Sequence, residues 1–307
     1  MMYKLNIFYY RIMRKLCHFR QNVRGVDYWT NSYRTSVALP VLCRQFNDIH
    51  PPHVQIETTT DCNYHCSFCP QSVCPRPAQY VSDNGFTYFL EQLKRVDFPF
   101  TVSMGVNNEP FMHPLLMTFC EKVAVQLPKA IGIVVTNGSL IRHEHLDFLA
   151  GLPKPPILMV NDYTKNRSVS RNITEWRRTC GHDRMIIQIR MRSSDQIMSN
   201  RAGNHPGTFE NIYDFRHVIC TWPFYCMFFS SNLEAFLCCA DYHHTVILGD
   251  LKSQDLMSIW QGDAYREIRH KLLTTRRRDL PLCGKCNDVR FSLPDHCKPK
   301  KLGPEFY

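Results

Sequence analysis

Short apolar segments alternate with amphipathic segments through the middle of the chain. Repeated strand–helix units of this kind imply a parallel sheet, open or closed into a barrel. Segments rich in β-branched and apolar residues predict strands at His53 to Thr58, Phe100 to Met104, Ile131 to Val135, Ile157 to Val160 and Met185 to Met191. Apolar positions at helical spacing predict helices around Phe86 to Val96, from His113, and up to Leu149.

Both ends of the chain depart from this alternation. In residues 1–50, Leu5, Phe8, Ile12 and Leu16 recur at helical spacing between basic residues, which predicts an amphipathic helix. Such a helix either docks on its own domain or lies on a membrane surface, and we expect docking. After about residue 215 cysteine-rich hairpins replace the strand–helix units. We therefore predict a helical extension (1–50), a catalytic core (51–214) and a smaller C-terminal subdomain (215–307).

Cysteine content narrows the class of protein. Fifteen of 307 residues are cysteines, and this odd number argues against a fully paired disulfide scaffold. Disulfide density belongs to small secreted domains, whereas a cysteine-rich chain of this size more often binds metal. Basic residues interrupt the N-terminal apolar patch, no cleavage site follows, and no run of about 18 apolar residues exists. We expect a cytoplasmic protein without a membrane span.

A net charge of +10 raises the question of nucleic-acid binding. The basic residues are scattered, and their densest groups, Arg276 to Arg278 and Lys298 to Lys301, lie near the C-terminus. Charge of this kind supports solubility and attraction of anionic partners rather than a defined nucleic-acid site. We expect no nucleic-acid partner.

Three cysteines follow the first predicted strand at C-x3-C-x2-C spacing: Cys62, Cys66 and Cys69. A loop of this kind can wrap three thiolates around an iron–sulfur cube and leave the fourth iron open to a ligand. Chance spacing in a cysteine-rich chain is one alternative. A zinc site is another, although it needs a fourth ligand and His65 is sterically awkward inside the loop.

Two further turns accompany this loop in chain order. Gly105-Val106-Asn107-Asn108-Glu109-Pro110 ends the second predicted strand, and Thr136-Asn137-Gly138 ends the third. Together with Asn63 after the first cysteine and Phe68 before the third, the set resembles the radical SAM superfamily. The first turn departs from that family's Gly-Gly-Glu-Pro pattern at its middle glycines but keeps the glutamate.

The resemblance implies a partial (β/α)6 TIM-like barrel that holds S-adenosylmethionine (SAM) on the open iron of a [4Fe–4S] cluster. Reductive cleavage of SAM would then yield a 5′-deoxyadenosyl radical that abstracts hydrogen from a substrate. A flavodoxin or ferredoxin would supply the electron. The residues that this resemblance places around SAM are Phe68, Gly105, Asn108, Glu109, Thr136, Asn137, Gly138 and Arg190.

The C-terminal cysteines resemble the SPASM/twitch extension of radical SAM enzymes. Cys220 and Cys238 bracket 17 residues that can form a hairpin, and Cys283 and Cys286 complete four thiolates for one auxiliary [4Fe–4S] cluster. Cys239 could replace Cys238, and a zinc ribbon of the same four cysteines is the alternative. A further hypothesis makes Cys226 or Cys239 a thiol hydrogen donor, which an epimerase needs.

Asn200-Arg201-Ala202-Gly203, before the C-terminal cysteines, is a sequence that SPASM-type enzymes share. Arg201 could bind substrate or accept a proton, or the segment could be a plain surface turn. The cysteine spacing looks like that of aminocyclitol-oxidising members of the family. We expect a small polar substrate, a sugar or aminocyclitol, to be dehydrogenated or epimerised. A peptide-modifying or maturase-type enzyme is the alternative, and a non-enzymatic metal-binding module would leave Glu109 unexplained.

Overall fold

The computed structural model describes residues 51–96, 100–180, 185–192, 200–205, 220, 222–274 and 276–286. The predicted helix in residues 1–50 and the predicted domain boundaries at 214 and 215 lie outside these ranges. Within the described residues, no helix is both long and apolar enough to cross a membrane.

One eight-stranded mixed sheet organises the chain. Its strands are β1 (His53–Ile56), β2 (Phe100–Met104), β3 (Ala130–Thr136), β4 (Ile157–Asp162), β5 (Ile187–Met191), β6 (Cys226–Phe229), β7 (Glu234–Phe236) and β8 (Ile247–Asp250). The α-helices are α1 (Pro70–Val73), α2 (Asp83–Lys94), α3 (Leu116–Gln126), α4 (His143–Gly151), α5 (Ser168–Thr179), α6 (Trp222–Tyr225), α7 (Leu256–Trp260) and α8 (Asp263–Leu273).

The strand order is β5-β4-β3-β2-β1-β6-β7-β8. Strands β1 to β5 run parallel in sequential order, as expected from repeated strand–helix units, and β6 adds in parallel to the free edge of β1. Strands β7 and β8 then continue the sheet in the antiparallel sense. The predicted α/β class, a partial barrel of six parallel strands with a small C-terminal subdomain, is confirmed.

The two faces of the sheet differ in chemistry because side chains alternate along each strand. Val54 and Ile56 of β1 and Val102 of β2 are buried in the large core that includes the helices. Their neighbours in sequence, such as Gln55 and Ser103, occupy the opposite, inner face. Polar positions on this inner face are His53, Gln55, Thr101, Ser103, Asn161, Gln188 and Arg190.

Each strand and helix predicted between residues 53 and 191 is present, with boundaries that shift by a few residues. The structure adds α5 (Ser168–Thr179), which the sequence analysis did not predict. Between Cys220 and Cys238, β6 and β7 form the expected antiparallel hairpin, with α6 before it. The parallel strands direct their C-terminal ends to one edge of the sheet, where the candidate site lies.

Candidate active site

The first cysteine loop begins just beyond the C-terminal end of β1. Cys62, Cys66 and Cys69 are partly exposed, and the amide of Cys69 donates to the carbonyl of Cys66 at 2.9 Å. The loop starts at an Asx-type turn, in which the Asp61 carboxylate accepts from the Cys62 amide at 2.9 Å. Short α1 follows directly, with Pro70 in its first turn. This geometry presents three thiols in one exposed loop.

The electrostatics of these thiols fits a cationic iron–sulfur core. Burial raises the pKa of Cys62 to about 12, and the nearby Glu109, Cys69 and Cys66 contribute in the same direction. Burial and the neighbouring Cys69 raise the pKa of Cys66 to about 11. Thiolates gathered this closely repel one another, so they are stable together only around positive charge. The donor set therefore suits a cluster bound through Cys62, Cys66 and Cys69.

Glu109 connects the second motif turn to the third. Its carboxylate accepts from the Thr136 hydroxyl and the Asn137 amide, both at 2.7 Å, and from the Phe111 amide at 3.1 Å. Only 1% of the residue is exposed, and burial raises the pKa of its carboxyl. The Glu109 amide also donates to the carbonyl of Asp61 at 2.9 Å, at the start of the cysteine loop.

Gly105 and Gly138 allow the backbone of the two turns to pack closely around the Glu109 carboxylate, which we call the Glu109 junction. At Gly105, φ is 142°, and a β-carbon would lie 2.9 Å from the carbonyl oxygen of Val135. At Gly138, φ is 78°, and a β-carbon would lie 2.5 Å from Val169. Asn108 supports the first turn, since its side-chain oxygen accepts from the Val106 amide at 2.8 Å. A side chain at either glycine would therefore deform the turns.

Asn63 joins the cysteine loop to the third motif turn. Its side-chain amide donates to the Ser139 hydroxyl at 2.9 Å, and its oxygen accepts from the Asn137 side chain at 2.9 Å. Asn63 and Asn137 lie 74 residues apart in sequence, and their hydrogen bond brings the cysteine loop to the third motif turn. Since Glu109 joins the second turn to the third, all three motifs meet at one edge of the sheet. The structure brings together the predicted SAM residues of β2 and β3. Their roles toward SAM stay predictions.

Aromatic side chains border the loop on its other side. Phe68 is buried and its ring centroid lies 5.7 Å from that of Tyr163, which directly follows β4. Tyr64 approaches the same ring at 6.3 Å. Burial raises the pKa of Tyr163 to about 12, and the charges that also act on it come from Cys66, Cys69, Arg192 and Arg201. Tyr163 therefore borders the cysteine loop, a position that no sequence motif indicated.

The four C-terminal cysteines form a second group. Burial raises the pKa of Cys238 well above its usual range, and the charges of Cys239, Cys220, Cys283 and Cys286 add to this effect. Burial likewise raises the pKa of Cys283 to about 12. Residues separated by up to 66 positions in sequence are thus mutual neighbours, as the predicted ligand set requires. This donor set suits an iron–sulfur cluster without an open iron.

The Arg201 loop (residues 200–205) is fixed against the second cysteine group. The side chain of Asn200 donates to the Lys285 carbonyl, within the C-x2-C turn, at 2.8 Å. Asn204 donates to the Ala240 carbonyl, next to Cys239, at 2.9 Å. Arg201 and Ala202 both have left-handed backbone conformations, at φ 48° and 55°, which is strained for residues with a side chain. Asn200 and Asn204 thus stabilise the turn, as the structural alternative for this segment expects, and the role of Arg201 toward substrate stays a prediction.

Arg201 itself is half-buried. Its Nε is inaccessible to solvent and has no hydrogen-bond partner among the described residues. A buried guanidinium nitrogen without a partner is costly unless a ligand or another group completes it. The strained backbone and this nitrogen together make Arg201 a candidate for substrate contact.

The remaining predicted site residues lie at different depths. Arg190 occupies the inner face of β5, in register with Asn161 of β4. Cys226 is fully buried at the start of β6, in register with His53, and its sulfur accepts from the Gln55 side chain at 3.5 Å. It therefore lies about three residues, on the order of 10 Å, before the C-terminal ends of the strands.

Cys239 lies closer than Cys226 to the predicted SAM residues. Its carbonyl accepts from the side chain of Asn107 at 3.0 Å, so the second motif turn contacts the C-terminal hairpin directly. Val106 of the same turn packs against the aromatic cluster on the inner face, which includes Phe228 and Phe236. The hydrogen-donor role of Cys226 or Cys239 stays a hypothesis.

A buried ion pair provides a second connection between the cysteine loop and the C-terminal hairpin. Arg76, after α1, binds Glu57 through two nitrogens, at 2.7 and 3.0 Å. His244 of the hairpin approaches the same carboxylate at 3.1 Å, and the Arg76 guanidinium lies 4.3 Å from the centre of the Tyr242 ring. Although burial raises the pKa of Glu57, hydrogen bonding to His244 and the charge of Arg76 lower it overall. No motif in the sequence indicated this contact among Glu57, Arg76 and His244.

No three His, Cys, Asp or Glu side chains among the described residues are arranged to hold a single metal ion. The twelve cysteines in the described ranges are thiols. The assignment of two clusters therefore rests on donor chemistry, on the mutual electrostatics of the thiols and on the comparisons that follow.

Known proteins resemble the chain in sequence and in fold. Residues 220–287 match SPASM, an iron-sulfur cluster-binding domain. An S-adenosyl-L-methionine-dependent 2-deoxy-scyllo-inosamine dehydrogenase from Niallia circulans is 24% identical over 241 residues, which cover 77% of this chain and 92% of that protein.

Two crystal structures of BtrN share the fold. The structure with AdoMet and 2-DOIA superimposes with a TM-score of 0.65 at 24% identity, over 78% of this chain and 93% of that one. The open conformation gives 0.59 at 20% identity, over 79% and 94%. These findings show that residues 220–287 match an iron-sulfur cluster-binding domain and that the chain shares the fold of the BtrN structures.

Proposed function

We propose that this chain is a radical SAM oxidoreductase that dehydrogenates a sugar or aminocyclitol at a carbinol carbon. The observation that carries the proposal is the strained Arg201 loop, which the Lys285 and Ala240 carbonyls hold against the second cysteine group. The charge of Arg201 also acts on Tyr163, whose ring lies against Phe68 of the first cysteine loop. The relative from Niallia circulans, a dehydrogenase of 2-deoxy-scyllo-inosamine by name, supports the substrate class.

Cys62, Cys66 and Cys69 would hold a [4Fe–4S] cluster with SAM. Cys220, Cys238, Cys283 and Cys286 would hold one auxiliary cluster of the twitch type. When bound, the first cluster and SAM would supply a 5′-deoxyadenosyl radical that removes a hydrogen atom from the carbinol carbon. The second cluster would accept the remaining electron, and the hydroxyl proton would pass to water. A flavodoxin or ferredoxin would supply the initiating electron. Thiols throughout the described ranges suit a reducing compartment, and we place the protein in the cytoplasm.

The protein's own groups position the substrate. Arginine remains protonated, so Arg201 would donate hydrogen bonds to substrate hydroxyl oxygens rather than take a proton from them. The polar inner face offered by Asn161, Gln188 and Arg190 would accommodate further hydroxyl or amino groups. The Glu109 junction would fix the turns around SAM. The residues that would contact SAM are Phe68, Gly105, Asn108, Thr136, Asn137, Gly138 and Arg190.

Deuterium transfer tests the proposal. Anaerobic protein with SAM and dithionite is incubated with aminocyclitols and amino sugars that carry deuterium on one carbinol carbon. We expect deuterium in 5′-deoxyadenosine, with one ketone, trapped as its hydrazone, for each labelled 5′-deoxyadenosine. Cys62→Ala is the negative control, since it removes a proposed cluster ligand.

Other outcomes separate the remaining candidates. Solvent deuterium in an epimer, without ketone, would favour epimerisation with Cys239 or Cys226 as hydrogen donor. If 5′-deoxyadenosine formation responds to peptides and no panel compound transfers deuterium, the proposed substrate class is wrong and the peptide-modifying alternative gains.

A further inference from the structure

Arg277 lies inside the second cysteine group, where the sequence showed only a run of basic residues. Arg276 and Arg278, its neighbours in the run, are exposed, whereas Arg277 is 1% exposed. The run forms a short 3-10 turn, Arg277–Asp279, after α8. Helical geometry at this turn directs one of the three guanidinium groups inward.

The buried guanidinium of Arg277 forms hydrogen bonds with both ends of the C-x2-C turn, Cys283 to Cys286. Its Nε donates to the Cys283 carbonyl at 3.1 Å, and its Nη2 donates to the Cys286 carbonyl at 3.1 Å. Gly284 within the turn approaches the backbone closely, because a β-carbon there would lie 2.7 Å from the Arg278 carbonyl oxygen. Arg277 thus fixes the spacing of two proposed cluster ligands with a planar fork, a geometry that lysine cannot reproduce.

The same guanidinium places a positive charge beside the thiols. Arg277 is 1% exposed, and two of its nitrogens lie 3.1 Å from the carbonyls of Cys283 and Cys286, so solvent screens its charge little. Asp241 is also fully buried, and its amide donates to the Cys238 carbonyl at 2.9 Å. Asp241 accepts hydrogen bonds from the Thr245 amide and hydroxyl, both at 2.8 Å, so its position in the hairpin is also fixed.

We infer that Arg277 is a positioning residue of the auxiliary cluster, which holds the C-x2-C turn and raises the reduction potential of the cluster by its buried charge. This inference rests on the auxiliary cluster proposed above. Reduction adds one electron, here supplied by dithionite, and one unit of negative charge with no change in covalent bonds. A buried cation beside the ligands favours that charge, and net charge and hydrogen bonding are among the terms that set cluster potentials.

Two substitutions separate charge from fork geometry. Arg277→Lys keeps the positive charge and loses the two-point contact, whereas Arg277→Gln removes the charge. Arg269→Gln is the matched control, since Arg269 is 2% exposed in the same subdomain and donates to the carbonyls of Pro223 and Trp260 rather than to the cysteine turn. Asp241→Asn supplies a probe of opposite sign.

The measurement is a dithionite titration of the holoenzyme followed by electron paramagnetic resonance, with iron and sulfide counted on each sample. SAM perturbs the signal of a cluster that has an open iron, so its addition distinguishes the two clusters. We expect Arg277→Gln to shift the auxiliary midpoint to more negative potential and Arg277→Lys to shift it less. Asp241→Asn should shift it to more positive potential, and Arg269→Gln should leave it unchanged.

Failure of the role proposed for Arg277 and failure of the proposed function give different experimental results. If Arg277→Gln keeps about eight iron atoms and an unchanged auxiliary midpoint, the inference is wrong while the auxiliary cluster stands. Equal shifts from Arg277→Gln and Arg269→Gln would show a general effect of destabilisation and overturn it as well. Loss of the second cluster from the Gln variant but not the Lys variant supports the role of charge. A wild-type content of about four iron atoms with zinc would refute the auxiliary cluster itself.

Discussion

Replacing Arg76 with methionine tests whether the buried ion pair fastens the first cysteine loop to the SPASM domain. Methionine preserves much of the apolar length of the side chain and removes the charge. Glu57 is completely buried, and the Arg76 side chain is 10% exposed. The substitution therefore leaves a buried carboxylate whose nearest remaining side-chain partner is the His244 ring, at 3.1 Å.

The expected cost follows from this burial. Breaking a buried pair by removing one partner costs about 3–5 kcal/mol in the free energy of unfolding, because the other charge remains desolvated. For a chain of this size the loss corresponds to a decrease in melting temperature on the order of 5–8 °C. Loss of the Arg76–Tyr242 stacking contact acts in the same direction.

The assay is thermal unfolding of anaerobic holoenzyme, followed by circular dichroism, with Arg266→Met as control. Arg266 pairs with Asp263 at 3.5 Å, and both side chains are mostly exposed, at 67% and 101%. Exposed pairs contribute little to stability, so this control should melt close to the wild type. The Glu57→Gln/Arg76→Met double variant should be more stable than Arg76→Met alone, since no carboxylate is then left unpaired.

A decrease for Arg76→Met no larger than that for Arg266→Met would refute the reasoning. It would mean that water or another group solvates Glu57 when Arg76 is absent. A double variant less stable than Arg76→Met would also refute it. That result would mean that partners other than Arg76 stabilise the Glu57 carboxylate by more than its burial destabilises it.

Further predictions concern the cysteine groups and the glycine turn. Formation of 5′-deoxyadenosine under dithionite should be abolished in each of the variants Cys62→Ala, Cys66→Ala and Cys69→Ala. The control Cys120→Ala, in the core beside the helices, should keep it. If one of the three variants keeps substantial activity, that residue is not a cluster ligand. Cys283→Ala should keep uncoupled SAM cleavage and lose substrate turnover, and near wild-type turnover by a folded variant would contradict a required auxiliary cluster. Gly138→Ala should weaken SAM binding by about tenfold or more, because the added β-carbon would clash with Val160 and Val169. Equilibrium dialysis measures this affinity, and an unchanged value would exclude the turn from the SAM site.

The strands were predictable because their physical basis is local. β-Branched runs such as Ile131 to Val135 require burial, and only a parallel sheet with helices on one face buries several of them together. Helix α5 was missed because its apolar contacts, Val169, Ile173 and Trp176, are separated by charged and polar residues. It also begins at Arg167 in a left-handed conformation, without a capping side chain to mark its start.

The candidate site was only partly predictable, since its long-range contacts have no local signature. The cysteine spacing and the order of the strand-end turns indicated the first cluster loop and the Glu109 junction. Nothing in the sequence indicated that Asn200 would bind the Lys285 carbonyl across 85 residues, or that Tyr163 would lie against Phe68. Arg277 was visible only as one of three adjacent arginines, and its inward orientation depends on the turn after α8.

Different fixed charges lie beside the two cysteine groups. At the first, Glu109 accepts three hydrogen bonds in the strand-end turn, and its amide donates to the Asp61 carbonyl at the start of the loop. At the second, the guanidinium of Arg277 donates to the carbonyls of Cys283 and Cys286. In the proposed two-cluster enzyme, a positive charge beside the auxiliary cluster would raise its reduction potential. A more oxidising auxiliary cluster would suit uptake of an electron from an oxidised carbinol, as the proposed dehydrogenation requires, whereas epimerisation leaves no electron to be accepted.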